Sequence, residues 1–158
     1  MFDRDAMIAH YNQQRDEFVE VLRSLRPEDL DKPTVCEGWT VKDLVAHMAT
    51  SASTVQLLMN RHIAREPNPG LAALNERNAQ GVAARKAQSV EESLAELLSW
   101  HDKNVAFLRS LSDEHLAVEN SLVNGSVIPT AQRFTNSANH YGEHSQQILQ
   151  AIGRGSKA

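Results

Sequence analysis

The chain has 158 residues, 41% of them apolar and 23% charged, which is enough for one sizeable core of the ordinary globular kind. Its formal charge is −4 with both signs interspersed, so it carries no basic footprint for nucleic acid, and no apolar run has membrane-spanning length. Met1-Phe2-Asp3-Arg4-Asp5 lacks the basic and apolar regions of a signal peptide, and the single Cys36 cannot form an internal disulfide, so a cytoplasmic, single-domain protein over residues 1–158 is expected.

The first helical pattern runs from about Arg4 to Leu25, with Asp3 as its N-cap and Met7, Tyr11, Phe18, Val21, Leu22 and Leu25 as its apolar stripe. Gln14 interrupts that stripe and His10 flanks it. A loop from Asp31 to Trp39 follows, punctuated by Pro33 and Gly38. Thr40 with Asp43 makes a capping box for a second helix, which Pro67-Asn68-Pro69-Gly70 stops after about Arg65. Leu71 to Gln88, rich in Ala, Asn and Arg and interrupted by Gly81, reads as a weakly amphipathic helical excursion. Ser89 with Glu92 opens a third core helix to about Leu111, and His101 sits in the middle of its core line. Asn124-Gly125, between short apolar runs, predicts a tight hairpin. The last core helix spans Ala131 to about Ile152, with Phe134, Ala138, Tyr141, Ile148 and Ile152 facing inward. Four long helices of this kind predict an all-α fold, a four-helix bundle with the excursion between its second and third core helices.

On the last helix His140 and His144 stand four residues apart. Side chains at that spacing share one helical face, roughly 6 Å apart, within reach of one metal ion. His47, beside the apolar face of the second helix, is the candidate third ligand. The ordinary alternatives are a solvated or hydrogen-bonded pair for His140 and His144 and a satisfied core histidine for His47. His101 reads as a buried histidine with a polar partner, or as a residue behind the metal site. His10 is a further candidate for the same cavity, whereas His62 and His115 read as surface residues. Cys36 reads as a loop cysteine, with the site mouth as the alternative. Trp39 anchors the start of the second helix by packing, and Glu143, about 100° round the helix from His144, points away from the pair.

The segment Gly38-Trp39-Thr40-Val41-Lys42-Asp43-Leu44-Val45-Ala46-His47 and the closing His140-x-x-x-His144 with Gln147-Ile148 resemble the DinB/YfiT-like superfamily. They are most similar to the N-terminal domain of the mycothiol-dependent maleylpyruvate isomerase family. The loop Asn75-Glu76-Arg77-Asn78 is similar as well. The resemblance implies a four-helix bundle holding a divalent metal at one end through His47, His140 and His144, with His101, His10, Trp39 and Tyr141 as residues behind the ligands or along the cavity. Where the isomerases tend to have Glu at the position of His140, this chain has His, as other superfamily members do. At 158 residues it is expected to lack the isomerases' separate C-terminal domain.

Three neutral imidazoles leave a divalent metal with open positions, the pattern of a catalytic site, where a bound water or thiol loses its proton near neutral pH. Zinc is the first expectation, with nickel or iron as alternatives. The resemblance implies a small-molecule substrate and a thiol cosubstrate such as mycothiol or bacillithiol, hence S-transfer or thiol-assisted isomerisation of a small electrophile. A metal-hydroxide hydrolase and a non-catalytic small-molecule binding bundle are the alternatives. No nucleic-acid or membrane partner is expected, and a homodimer is compatible with the pattern.

Overall fold

In the computed structural model, residues 1–155 are described. Helix α1 (Arg4–Arg23) starts where the Asp3 carboxylate accepts the Ala6 N–H at 2.9 Å. Its buried line is Ile8, Tyr11, Phe18 and Leu22, with Val19 beside it, while Met7, Val21 and Leu25 are only partly buried. A single 3-10 turn, Pro27–Asp29, follows. There the Asp29 carboxylate, fully buried, gathers Lys32 at 2.7 Å, Arg26 at 3.4 Å and Arg154 at 3.5 Å, tying the turn to the far end of the chain.

Helix α2 (Val41–Ile63) opens on a reciprocal capping box: Asp43 N–H donates to Thr40 Oγ1 and Thr40 N–H donates to Asp43 Oδ2, both at 3.2 Å. It ends two residues sooner than its pattern suggests, because Arg65 turns into the left-handed region at φ 55° before Pro67. Helix α3 (Leu71–Ala84) runs unbroken through Gly81, and the segment Asn75–Asn78, expected as a loop, lies within it. Helix α4 (Val90–Ser110) begins on the Ser89–Glu92 capping box and buries Leu97, His101 and Leu108; the short α5 (Asp113–Ala117) follows.

The hairpin differs from its prediction. Strand β1 (Glu119–Ser121) is polar and pairs antiparallel with β2 (Val127–Pro129), Asn120 opposite Ile128. Leu122 and Val123 fall in the connection. Gly125 N–H donates to Leu122 O and Leu122 N–H to Ser126 O, so the loop has three residues with Gly125 at φ 82°, the geometry of a turn closed by a bulge. Helix α6 (Thr130–Ala151) completes the chain, burying Phe134, Ala138, Tyr141 and Ile148.

α1 packs along α6 and α2 along α4, while α2 also crosses α6 and α1 also touches α4. The order around the bundle is therefore α1, α6, α2, α4, with α1 diagonal to α2, and α3 lies on the outside of α2. Fully buried Phe18, Leu44, Leu97, Leu108 and Ile148 fill the centre, each contributing about 1.5–3 kcal/mol by burial. No helix among the described residues is long and apolar enough to cross a membrane.

Candidate metal centre

Because α2 crosses α6, His47 on the former meets His140 and His144 on the latter. One nitrogen from each ring lies within 4.8 Å of the other two. The His47 ring stands edge-on to both neighbours, with centroids 5.3 Å from His140 and 5.0 Å from His144. His47 and His144 are buried and His140 is half-buried.

The proton inventory of this cluster is unusual. Gln147 Oε1 accepts from His144 Nδ1–H at 2.6 Å, which leaves the lone pair of His144 on Nε2. That Nε2 lies 2.7 Å from His140 Nε2, so a proton or a cation is needed between the two nitrogens. His47 Nδ1 is buried without any hydrogen-bond partner among the described residues. Burial pushes the pKa of His47 down to about 4, with His144 adding to the effect, and burial followed by the His144 and His47 neighbours holds His140 well below the usual histidine range. His144 is lowered by burial against the opposing effects of Gln147 and Glu143. All three rings are thus neutral near pH 7, with one nitrogen of each lying within 4.8 Å of the others. This donor set fits a divalent cation of the kind that imidazole favours, and its count leaves positions open for further ligands.

The histidines stand at one wall of a cavity of about 640 Å³ lined by α2, α3, α6, the loop before α2 and the hairpin. Trp39 lines it and packs on His47 at 4.9 Å between centroids. Tyr141 lines it too, although its ring is nearly all buried. His101 lies behind Tyr141 and outside the cavity: Tyr141 O–H donates to His101 Nδ1 at 3.0 Å, and His101 Nε2–H donates to Asn12 Oδ1 at 2.8 Å. The imidazole stacks on Tyr11 at 3.9 Å. His10 is not among the cavity residues; it bridges α1 to α6 by a 2.8 Å hydrogen bond with Asn139. His62, expected at the surface, is buried because the hairpin folds over it, its Nε2–H donating to Ile128 O at 3.0 Å, whereas His115 is exposed as expected. Cys36 lines the cavity half-buried, its thiol pKa pushed up by burial and by Glu37. Glu143 is exposed. The sequence reading overlooked Arg77 and Arg133, which also line the cavity; the available signal was Arg133 standing two helical turns before His140, on the same face.

The bundle thus brings three histidines from its second and last core helices together at one wall of a cavity. Residues 11–139 match the family model for the mycothiol maleylpyruvate isomerase N-terminal domain, and the chain belongs to that family. Among solved structures it is similar to YfiT from Bacillus subtilis, described as a probable metal-dependent hydrolase with an unusual four-helix bundle topology, at 20% identity and a TM-score of 0.75 over 96% of this chain and 86% of that one. It is also similar to the mycothiol-dependent maleylpyruvate isomerase, at 19% identity and a TM-score of 0.67 over 93% of this chain, and to a histidine-to-alanine mutant of that enzyme at 17% and 0.64 over 99%. The chain spans 61% of the isomerase's length and 62% of the mutant's. A search of curated proteins finds no match.

Proposed function

We propose that His47, His140 and His144 hold a divalent cation and that the chain is a metal-dependent enzyme acting on a small molecule in the adjoining cavity. The observation that carries this reading is the meeting of three neutral imidazoles at the cavity wall, with their ligand nitrogens within 4.8 Å of one another. When bound, the cation supplies Lewis acidity and makes a thiol or water at its open positions more acidic. The chain's own groups set the stage for that chemistry. Gln147 fixes the tautomer of His144. Trp39 holds the His47 ring. The largely apolar wall formed by Met48, Val55, Leu58 and Met59 limits water around a bound molecule.

The leading reaction is S-transfer or thiol-assisted isomerisation with a low-molecular-weight thiol such as mycothiol or bacillithiol, as family membership and the likeness to the isomerase support. In S-transfer the thiol sulfur bonds to the electrophilic carbon, the leaving group takes the bonding pair, and the thiol proton passes to solvent. Hydrolysis is the second reading, supported by a likeness to YfiT that covers most of both chains. Supplying the metal-loaded protein with an alkyl halide, with and without thiol, separates the two. Conjugate formation that requires thiol and disappears in His144→Ala supports the transferase; equal consumption of the halide without thiol supports the hydrolase. Full metal loading with no turnover of halides, epoxides or esters contradicts both.

A further inference from the structure

One wall of the cavity is held differently from the others. Helix α3 supplies Leu74, Asn75, Arg77, Asn78 and Ala79 to it, all before Gly81. Yet Val82, beyond that stretch, is the only buried residue of α3, and Leu71 at its start is 59% exposed. Among the described residues no side chain of residues 71–80 hydrogen-bonds outside the helix; Gln80 donates to Glu76 at 3.0 Å within it. The helix start is uncapped, since Gly70 has no side chain to accept a backbone N–H and no acid stands in the first turn.

The opposite end of α3 is pinned. Gly81 lets it approach α2 so closely that an added Cβ would lie 2.8 Å from Thr50 Cβ. Arg85 donates to Thr50 Oγ1 at 2.9 Å and to Glu96 of α4 at 2.6 and 3.0 Å, and Lys42 Nζ donates to Lys86 O at 3.3 Å. The remaining walls are fastened as well. α2 and α6 belong to the core. The hairpin is tied down where His62 Nε2–H donates to Ile128 O at 3.0 Å and Asn120 Nδ2–H to Glu66 O at 2.9 Å. The loop before α2 is closed by Thr34 N–H to Trp39 O at 2.7 Å and Val41 N–H to Lys32 O at 3.0 Å.

Helices shorter than roughly 12–15 residues are marginal in water, and inside proteins they persist mainly through the packing of one face. Residues 71–80 have neither the length nor a buried face, so opening them costs far less than unfolding the bundle. Gly81, a weak helix former followed at once by the docked Val82 and Arg85, marks where such unwinding stops.

We propose that residues 71–80 form a lid: they unwind from Gly70 as far as Gly81 to open the cavity and rewind over a small molecule inside, while residues 81–86 stay docked on α2 and α4. The device governs entry to the cavity and operates whichever ion or molecule the histidines hold.

Hydrogen exchange on the full chain, read by mass spectrometry, tests the lid. Amides of residues 75–80 should exchange at least about 100-fold faster than those of α2 beneath them, as expected of a local opening. Access is read by maleimide labelling of Thr54→Cys in a Cys36→Ser background. Thr54 lies one turn along α2 from Thr50, on the same face, and lines the cavity. Ala73→Gly combined with Glu76→Gly, both exposed and off the cavity wall, should raise this exchange and this labelling together by about 10- to 30-fold, with exchange in α4 and α6 unchanged. Ala73→Glu, which places a carboxylate in the first turn, should slow both by about 2- to 5-fold. Exchange of residues 75–80 within about threefold of that of α2 overturns the lid. Faster exchange without faster labelling in the glycine variant overturns it too, because the helix then moves without admitting anything. An equal rise of exchange in α4 and α6 makes α3 part of the global fold and likewise overturns the proposal.

Discussion

His144 and Gln147 form a side-chain pair one helical turn apart, with His144 Nδ1 2.6 Å from Gln147 Oε1. The amide oxygen can only accept, so the contact sets where the imidazole proton resides and turns the Nε2 lone pair toward His140 and His47. Removing this acceptor should loosen the ring and let the tautomer exchange. Gln147→Leu is expected to weaken divalent-cation affinity by about 10- to 100-fold, the usual effect of losing a partner behind a metal ligand, while the circular-dichroism spectrum stays helical. Gln147→Glu keeps an acceptor and should retain most of the affinity. Equal cation affinity in Gln147→Leu would mean that the pair plays no part in the site.

Gly81 and Thr50 set the distance between α3 and α2. A Cβ on Gly81 would lie 2.8 Å from Thr50 Cβ, closer than carbon atoms tolerate. Thr50 cannot swing away at no cost, because its Oγ1 donates to Ala46 O at 3.0 Å and accepts from Arg85 Nη1 at 2.9 Å. Arg85 is itself held by Glu96 through contacts of 2.6 and 3.0 Å. Helix propensity alone predicts that Gly→Ala stabilises by about 1 kcal/mol. Here the opposite sign is expected: Gly81→Ala should destabilise by about 1–3 kcal/mol, read by urea unfolding. Adding Thr50→Ser, which removes the crowded methyl and keeps the hydroxyl, should recover part of the loss. A more stable Gly81→Ala would refute the close approach.

Acid should unfold the metal-free protein partly through His101. Burial, then the nearby Arg15 charge, pushes its pKa down to about 3 in the fold, whereas the unfolded chain titrates near the ordinary value of about 6.5. Between those values the unfolded chain binds a proton that the native one does not, so the His101 contribution is complete above pH 6.5 and is lost progressively as pH falls toward 3. Each such proton makes stability fall by about 1.4 kcal/mol per pH unit in that window. His101→Gln should therefore show a shallower decline in unfolding free energy from pH 6 to 4, lower at pH 7 yet less sensitive to acid. The same slope in wild type and variant would place the acid sensitivity elsewhere.

Local chemistry was legible from the residues alone. The Thr40–Asp43 and Ser89–Glu92 capping boxes involve groups three residues apart, and they mark the two helix starts seen in the structure. The inward line Phe134, Ala138, Tyr141, Ile148 and Ile152 follows from helical periodicity and is buried. What escaped depends on contacts between distant segments. His62 looked solvent-facing because nothing near it in sequence reveals that Ile128, 66 positions later, will bring the hairpin over it. Gly81 looked like an interruption because its neighbour Thr50 lies on another helix. The strand pairing slid into Glu119–Ser121, since the three-residue turn at Gly125 sets the register, leaves Val123 in the loop and uses Leu122 to close it through Ser126 O. Arg77 and Arg133 escaped because only the packing of α3 and α6 brings them to one cavity. The helix order α1, α6, α2, α4 is likewise fixed by packing between helices far apart in the chain.

The measurement that tests the central claim most directly is the metal content of untagged protein after equilibration with zinc, nickel or iron(II) and removal of the free ion, compared among wild type, His47→Ala, His140→Ala and His144→Ala. A three-histidine centre predicts close to one equivalent of at least one of these metals in the wild type and a steep loss in each variant, with the helical spectrum retained. No bound metal in the folded wild type, or an undiminished equivalent in all three variants, would contradict the account.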